Sequence, residues 1–124
     1  MNRAKFVVPA LLLALAAPAW AQDAVKVDAK HFKVEFENAK VRVLRAGYGP
    51  HEKSVMHSHP DAVAVFLADG QAKFTFPGGK SEDAPIKAGT TMWTPATTHL
   101  PENVGDKPFE VLVIELKGKP GKKK

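Results

Sequence analysis

Short alternating segments separated by glycine and proline constrain the fold of this chain. Residues 31–37 alternate apolar Phe32, Val34 and Phe36 with charged side chains, and residues 109–116 are rich in Val, Ile and Leu. Because successive strand side chains point to opposite faces, this pattern is typical of half-buried strands. No window has apolar residues at helical spacing over three turns. The pattern predicts an all-β sandwich or barrel.

Three local segments carry expectations of their own. Residues 25–27, Val-Lys-Val, predict a short edge strand, and Asp69-Gly70 is typical of a two-residue hairpin turn. Residues 62–67 are apolar on both faces, as expected of a strand buried within a small sandwich or barrel.

Two closely spaced histidines indicate binding chemistry. His57 and His59 lie two apart on an extended segment, so their side chains project from one face with Cα atoms about 6–7 Å apart. Two imidazoles at that separation can converge on one cation. His99 follows about forty residues later, after several predicted strands. Three histidines from two strands can form a metal site inside a barrel; the alternative is that they are ordinary packing or hydrogen-bonding residues.

The first 21 residues have the features of a cleavable export signal. Arg3 and Lys5 precede the apolar run 6–20, and Ala19-Trp20-Ala21 matches a small-x-small cleavage site. The run is shorter than the roughly twenty residues that a membrane span needs. We expect cleavage after Ala21, a periplasmic or secreted protein and no stable membrane insertion afterwards; an uncleaved N-terminal anchor is the alternative. The remaining length is that of one domain, which we expect at residues 22–117.

The positive charge of the chain is concentrated at its two ends. Six of the 18 Lys and Arg residues lie in the export signal or in the tail 118–124, which leaves 12 against 13 acidic residues. We therefore expect a disordered Lys-rich tail and no nucleic-acid partner, because a nucleic-acid module carries its charge on the folded surface. The chain has no cysteine, so neither a disulfide nor a thiolate ligand is available.

The histidines also fall in the order of two known motifs, and through them the chain resembles the cupin superfamily. The first motif is matched at His57, His59 and Gly70; the second is matched at Gly89, Pro95, His99 and Asn103. More narrowly, the chain resembles small single-domain exported bacterial cupins with an RmlC-like jelly roll.

The chain departs from these motifs at four points. The first motif's glutamate falls on Val63 and its opening glycine on His51. In the second motif, Thr97 occupies the position of the second glycine, and one residue is missing before His99.

The resemblance implies a cupin double-stranded β-helix, a jelly-roll barrel with six strands per sheet. It also implies a divalent transition metal, Fe, Mn, Zn, Cu or Ni, held near one mouth of the barrel by His57, His59 and His99. Candidate pocket-lining residues are His51, Val63, Trp93 and Asn103. For His51 we favour a surface loop over a fourth ligand, and for Asn103 a role at a turn or strand end.

Without the glutamate, a three-histidine site keeps the full charge of the ion and leaves coordination positions open. This favours a small anionic ligand, and we expect no other Asp or Glu to point inward. The first hypothesis is a metal-dependent oxygenase or isomerase acting on a small anionic molecule. The alternatives are a non-catalytic carrier of metal or a small ligand, and a barrel with a vestigial site in which oligomerisation, for example as a homodimer, matters more.

Overall fold

Two facing β-sheets make up the part of the chain that the computed structural model describes, residues 22–118. The predicted export signal at 1–21 and residues 119–124 of the lysine-rich tail lie outside the described residues. Between residues 22 and 118, no helix is long and apolar enough to cross a membrane. The elements in chain order are α1 (Ala24–Val27), β1 (Phe32–Glu37), β2 (Val41–Tyr48), β3 (His57–His59), β4 (Ala62–Phe66), β5 (Gly70–Thr75), β6 (Ser81–Ile86), β7 (Thr91–Thr94), β8 (Thr97–Asn103) and β9 (Phe109–Leu116).

The strand order confirms the predicted double-stranded β-helix. One sheet has the order β1-β2-β9-β4-β7 and the other β3-β8-β5-β6, with antiparallel pairing between neighbouring strands. The chain changes sheet at every connection except β1–β2 and β5–β6, which are hairpins. The two sheets have five and four strands, fewer than the six per sheet that the resemblance implied.

Alternation along the strands separates the core from the outer surface. On β9, Phe109, Val111 and Glu115 are buried, and Val113 packs against the core from the same face. On β2 the inward residues include Leu44, which is fully buried. Burial of such side chains is worth roughly 1.5–3 kcal/mol each, so this inner layer supplies most of the driving force for folding.

Two local predictions are wrong. Residues 24–27 form a single helical turn rather than a strand, and the Asp23 carboxylate caps it by accepting a hydrogen bond from Val25 N at 3.2 Å. Asp69-Gly70 does not make a hairpin, because β4 pairs with β7 and β9 whereas β5 pairs with β6 and β8. The turn instead carries the chain from one sheet to the other.

The lack of a side chain at Gly70 allows this crossing to pack tightly. A Cβ there would lie 2.8 Å from Cδ2 of Phe109, closer than carbon atoms approach in folded proteins. We expect Gly70→Ala to lower the free energy of unfolding by about 1–3 kcal/mol through overpacking. Urea denaturation measures the change.

Gly47→Ala is the matched control for this substitution. Gly47 also lies in a strand, but its added Cβ would meet Cγ of Glu110 at an ordinary 3.7 Å. An equal loss of stability in both variants would contradict the steric explanation.

Candidate metal centre

The antiparallel pairing of β3 with β8 brings the three histidines together. His57 lies directly opposite His99, and His59 lies opposite Thr97. Because residues two apart on a strand share a face, His57 and His59 both point between the sheets. His57 is fully buried, His59 is 7% exposed and His99 is half-buried. The predicted meeting of these residues from two distant parts of the chain is therefore present.

The three rings form a tight cluster of potential nitrogen donors. Their centroids are 4.8 Å apart for His57–His59, 5.0 Å for His57–His99 and 5.4 Å for His59–His99. The interplanar angles are 84°, 90° and 81°, so the rings are mutually close to perpendicular. One nitrogen from each ring lies within 4.8 Å of the others. This set fits a transition metal that accepts imidazole ligands.

Hydrogen bonds at Nδ1 orient two of the rings. His57 Nδ1 donates to the carbonyl oxygen of Val55 at 2.7 Å, and His59 Nδ1 donates to Oε2 of Glu115 at 2.6 Å. Both bonds place the proton on Nδ1 and leave the Nε2 lone pair free. His57 Nε2 is buried and has no hydrogen-bond partner among residues 22–118. A buried polar atom without a partner is unfavourable, and a bound cation would satisfy it.

Glu115 corrects the expectation that no acidic residue points inward. Its carboxylate is 3% exposed; Oε2 accepts from His59, and Oε1 accepts from Arg42 Nε at 2.9 Å. Arg42 in turn forms a second ion pair with Asp23. This carboxylate–histidine pair resembles the partners that orient metal-ligating histidines. The sequence held a signal for it, because Glu115 continues the inward series of Phe109, Val111 and Val113.

Burial keeps two of the histidines neutral. Burial, followed by the nearby His59, lowers the pKa of His57 from 6.5 to about 4. Burial, followed by the nearby His57 and His59, lowers the pKa of His99 to about 3. Neutral imidazole is the form that binds metal, so both residues are ready to ligate at neutral pH.

A second polar network lies behind His57. Ser54 Oγ is 3.4 Å from His57 Nδ1 and donates to Asp28 Oδ2 at 2.6 Å. Asp28 also accepts from His31 Nδ1 at 2.9 Å, and His31 Nε2 lies 3.0 Å from Glu52. No sequence motif marks His31, which lies at the centre of this network. The network fixes the segment that leads into β3.

A cavity of about 650 Å³ opens beside the histidines between the two sheets, and His59 and His99 form part of its wall. Phe74 stacks on His99 with centroids 5.2 Å apart and an interplanar angle of 24°. Phe32 meets His57 edge-on at 4.9 Å. The face of the histidine cluster that is turned to the cavity is therefore flanked by aromatic rings.

Of the four residues predicted to line the pocket, the cavity wall includes Trp93, which is 54% exposed. Val63 is a correction, because it pairs with Ile114 of β9 while its neighbour Ala64 faces the cavity. Strand alternation therefore turns Val63 to the outer face.

The other two candidate pocket-lining residues, His51 and Asn103, also lie outside the cavity wall. His51 is an exposed residue with φ of 60°, and its Nε2 is 2.9 Å from Asp106 on the surface, which agrees with the surface loop that we favoured. Asn103 is fully buried away from the cavity wall. Its side-chain amide donates to backbone carbonyls of Gly49 and Lys107 at 3.0 and 2.8 Å, as expected for a turn-stabilising residue.

Comparison with known proteins agrees with the fold described above. The cupin domain family model matches residues 44–115, more than half of the chain. A cupin domain from Bordetella pertussis Tohama I is 26% identical with a TM-score of 0.66, over 70% of this chain and 92% of that chain.

Two further solved structures share the fold at lower identity. An uncharacterized conserved protein with a double-stranded β-helix domain from Klebsiella pneumoniae is 22% identical with a TM-score of 0.58, over 73% of this chain and 78% of that chain. A cupin superfamily protein from Desulfitobacterium hafniense is 18% identical with a TM-score of 0.53, over 68% of this chain and 74% of that chain. No curated protein matches significantly in sequence.

The Glu115–His59 contact generates a first prediction for this site. Glu115→Gln keeps the shape of the side chain and an acceptor oxygen. It removes the negative charge that makes the Nε2 lone pair of His59 a stronger metal ligand. We expect metal affinity, measured by competitive titration against a chromophoric chelator, to fall about 10–100-fold with little change in the circular dichroism spectrum. Glu110→Gln is the control, because Glu110 lies on the same strand but pairs with Arg45 on the exposed surface. Equal affinity in both variants would contradict an orienting role for Glu115.

The lowered pKa values generate a second prediction, for chelator-treated protein. Unfolded histidine titrates near pH 6.5, whereas folded His57 and His99 titrate near 4 and 3. Between these values the unfolded chain binds protons that the folded chain does not, so stability falls as the pH is lowered from about 6.5 to 4. Urea midpoints across this range measure the slope. We expect His99→Gln to reduce this slope, because it removes one of the two buried histidines; a pH-independent midpoint in the parent protein would contradict the prediction.

Proposed function

The chain belongs to the cupin superfamily, and on that basis we propose that it binds one divalent transition metal through His57, His59 and His99. One observation carries this proposal: three imidazole nitrogens lie within 4.8 Å of one another, and the buried Nε2 of His57 has no partner within residues 22–118. Iron, manganese, nickel, copper and zinc all accept imidazole ligands, so the donor set fits each of them.

The surroundings of the site support a bound ion with open coordination positions. Three neutral nitrogens leave about three positions of an octahedron or one of a tetrahedron for a ligand. When bound, the ion would act as a Lewis acid or as a site for O₂. The chain's own contribution is to orient His59 through Glu115, to keep His57 and His99 unprotonated, and to surround the open face with apolar side chains that exclude water.

From this arrangement we propose a metal-dependent oxygenase or isomerase acting on a small molecule with one anionic group. We also propose that the protein is exported, with cleavage after Ala21, and works in the periplasm or outside the cell. The features of residues 1–21 support this location.

A non-catalytic carrier of a small ligand is the second candidate, and the composition of the cavity wall favours it. Apart from the histidines and the buried phenol of Tyr48, Glu82 and Lys87 are the ionisable residues of that wall within the described chain. Burial raises the pKa of Tyr48, which makes its phenol a weak proton donor. Consumption of O₂ or conversion of a bound ligand by metal-loaded protein would distinguish the enzyme from the carrier.

Elemental analysis tests the metal site directly. We expect about one equivalent of a transition metal per chain in protein purified without chelator or affinity-tag histidines. His99→Ala should lose this metal while keeping a β-sheet circular dichroism spectrum. His51→Ala, which changes a surface histidine, should retain it. Failure of the parent protein to bind metal even on titration, or full metal content in both variants, would overturn the assignment.

A further inference from the structure

The cavity beside the histidines has the size and chemistry of a ligand site. Its volume of about 650 Å³ falls within the 300–1,000 Å³ of small-molecule pockets. It lies between the sheets and is bounded by the edge strands β6 and β7, with Met92 of β7 facing it while 48% exposed. The cavity therefore connects the histidine cluster with the outside of the barrel.

The cavity exists because alanines occupy positions that point into it. Ala46, Ala64, Ala72 and Ala84 come from β2, β4, β5 and β6, and all four line the wall. The first three are 3%, 6% and 1% exposed. Protein interiors are close-packed, and larger aliphatic residues at these positions would fill the space. Small residues on four strands thus leave room for a molecule.

Aromatic side chains give the cavity flat apolar surfaces next to the histidines. Phe74 lies nearly parallel to His99, and Phe32 packs against His57 and His59 at 4.9 and 5.7 Å. Phe66 and Phe109 extend the apolar wall away from the cluster. Aromatic rings favour stacked or edge-on partners, so a flat apolar body is complementary to this wall.

Charged partners for a ligand are scarce in the same wall. Glu82 and Lys87 are opposite in charge, and both are exposed on β6 and in the turn that follows it. No arginine belongs to the described wall. A ligand with several charges, such as a sugar phosphate or a tricarboxylate, would bury charges without partners at a high free-energy cost. Apart from the exposed Lys87, the histidine cluster is the place in this described wall where an anionic group would find compensation, through a bound cation.

We propose that the ligand is a largely apolar, flat monocarboxylate that places its carboxylate at the histidine cluster and its apolar body among the alanines and phenylalanines. This inference rests on the proposed metal site, since the cation provides the partner for the carboxylate. It narrows the ligand class from small anions in general to apolar molecules with one coordinating group.

Three probes of matched chemistry test the proposal on zinc-loaded protein by isothermal titration calorimetry. 2-Naphthoate carries both the flat body and the carboxylate, acetate has only the carboxylate, and 2-naphthamide has only the uncharged body. We expect 2-naphthoate to bind about a hundredfold or more tighter than acetate, because its rings bury apolar surface. We also expect it to bind at least tenfold tighter than 2-naphthamide, and citrate to bind no better than acetate.

Two substitutions on neighbouring residues locate the binding. Ala64→Leu adds carbons to the cavity wall and should weaken 2-naphthoate at least tenfold, with one zinc per chain retained. Val63→Leu, on the outer face of the same strand, should leave affinity unchanged. If Ala64→Leu does not fold, Ala84→Leu on edge strand β6 replaces it.

A further variant tests the partner of the carboxylate. His99→Ala, which removes the metal, should reduce the affinity for 2-naphthoate to that for 2-naphthamide.

The outcomes separate this inference from the metal proposal. One bound zinc together with equal affinities for 2-naphthoate and acetate, or for 2-naphthoate and 2-naphthamide, overturns the ligand class and leaves the metal site standing. Unchanged 2-naphthoate binding in the folded cavity variant, Ala64→Leu or its replacement Ala84→Leu, likewise overturns the ligand class. Failure to bind zinc overturns the metal site and, with it, the role of the carboxylate.

Discussion

The centre of this structure depends on the hydrogen bond and ion pair of the buried Glu115 carboxylate with His59 and Arg42. This carboxylate lies on β9 of the five-stranded sheet and accepts from His59 on β3 of the four-stranded sheet, so one side chain links the two layers. Arg42 compensates its charge from β2. A buried carboxylate needs such partners, because an unpaired charge in the interior would destabilise the fold. The geometry of the histidine cluster and the stability of the sandwich therefore share one set of contacts.

The fold class and the histidine cluster could be predicted from strand alternation, from histidine spacing and from the order of the motifs. Alternation identified the strands around Phe32–Glu37 and Phe109–Leu116, and the spacing of His57 and His59 placed them on one face. The position of His99 came from motif order, and the pairing of β3 with β8 explains why that order works. The departure at Val63 predicted a site without the motif glutamate. It did not predict that Glu115, on a distant strand, would hydrogen-bond to His59.

Most features that could not be predicted from the sequence depend on which strands become neighbours in the folded chain. Asp69-Gly70 has the chemistry of a turn, but turn chemistry does not determine which sheet the next strand joins. Residues 62–67 are apolar on both faces, so the pattern could not say that Ala64 rather than Val63 faces the cavity. The helical turn at Ala24–Val27 is too short for periodicity to reveal it. The cavity itself arises from alanines on four separate strands, which become neighbours only in the folded chain.

The ladder between β3 and β8 is only three residue pairs long, and it carries all three candidate ligands. β3 lies at the edge of its sheet, and the backbone pairing described on its other side, within residues 22–118, is an isolated bridge between Asp23 and Ser58. A cation held by His57, His59 and His99 would therefore act as a cross-link that clasps this short edge strand to its neighbour. In a chain without cysteine, that clasp would take the place of a disulfide. Loss of the ion would loosen first the strand that supplies two of its three ligands.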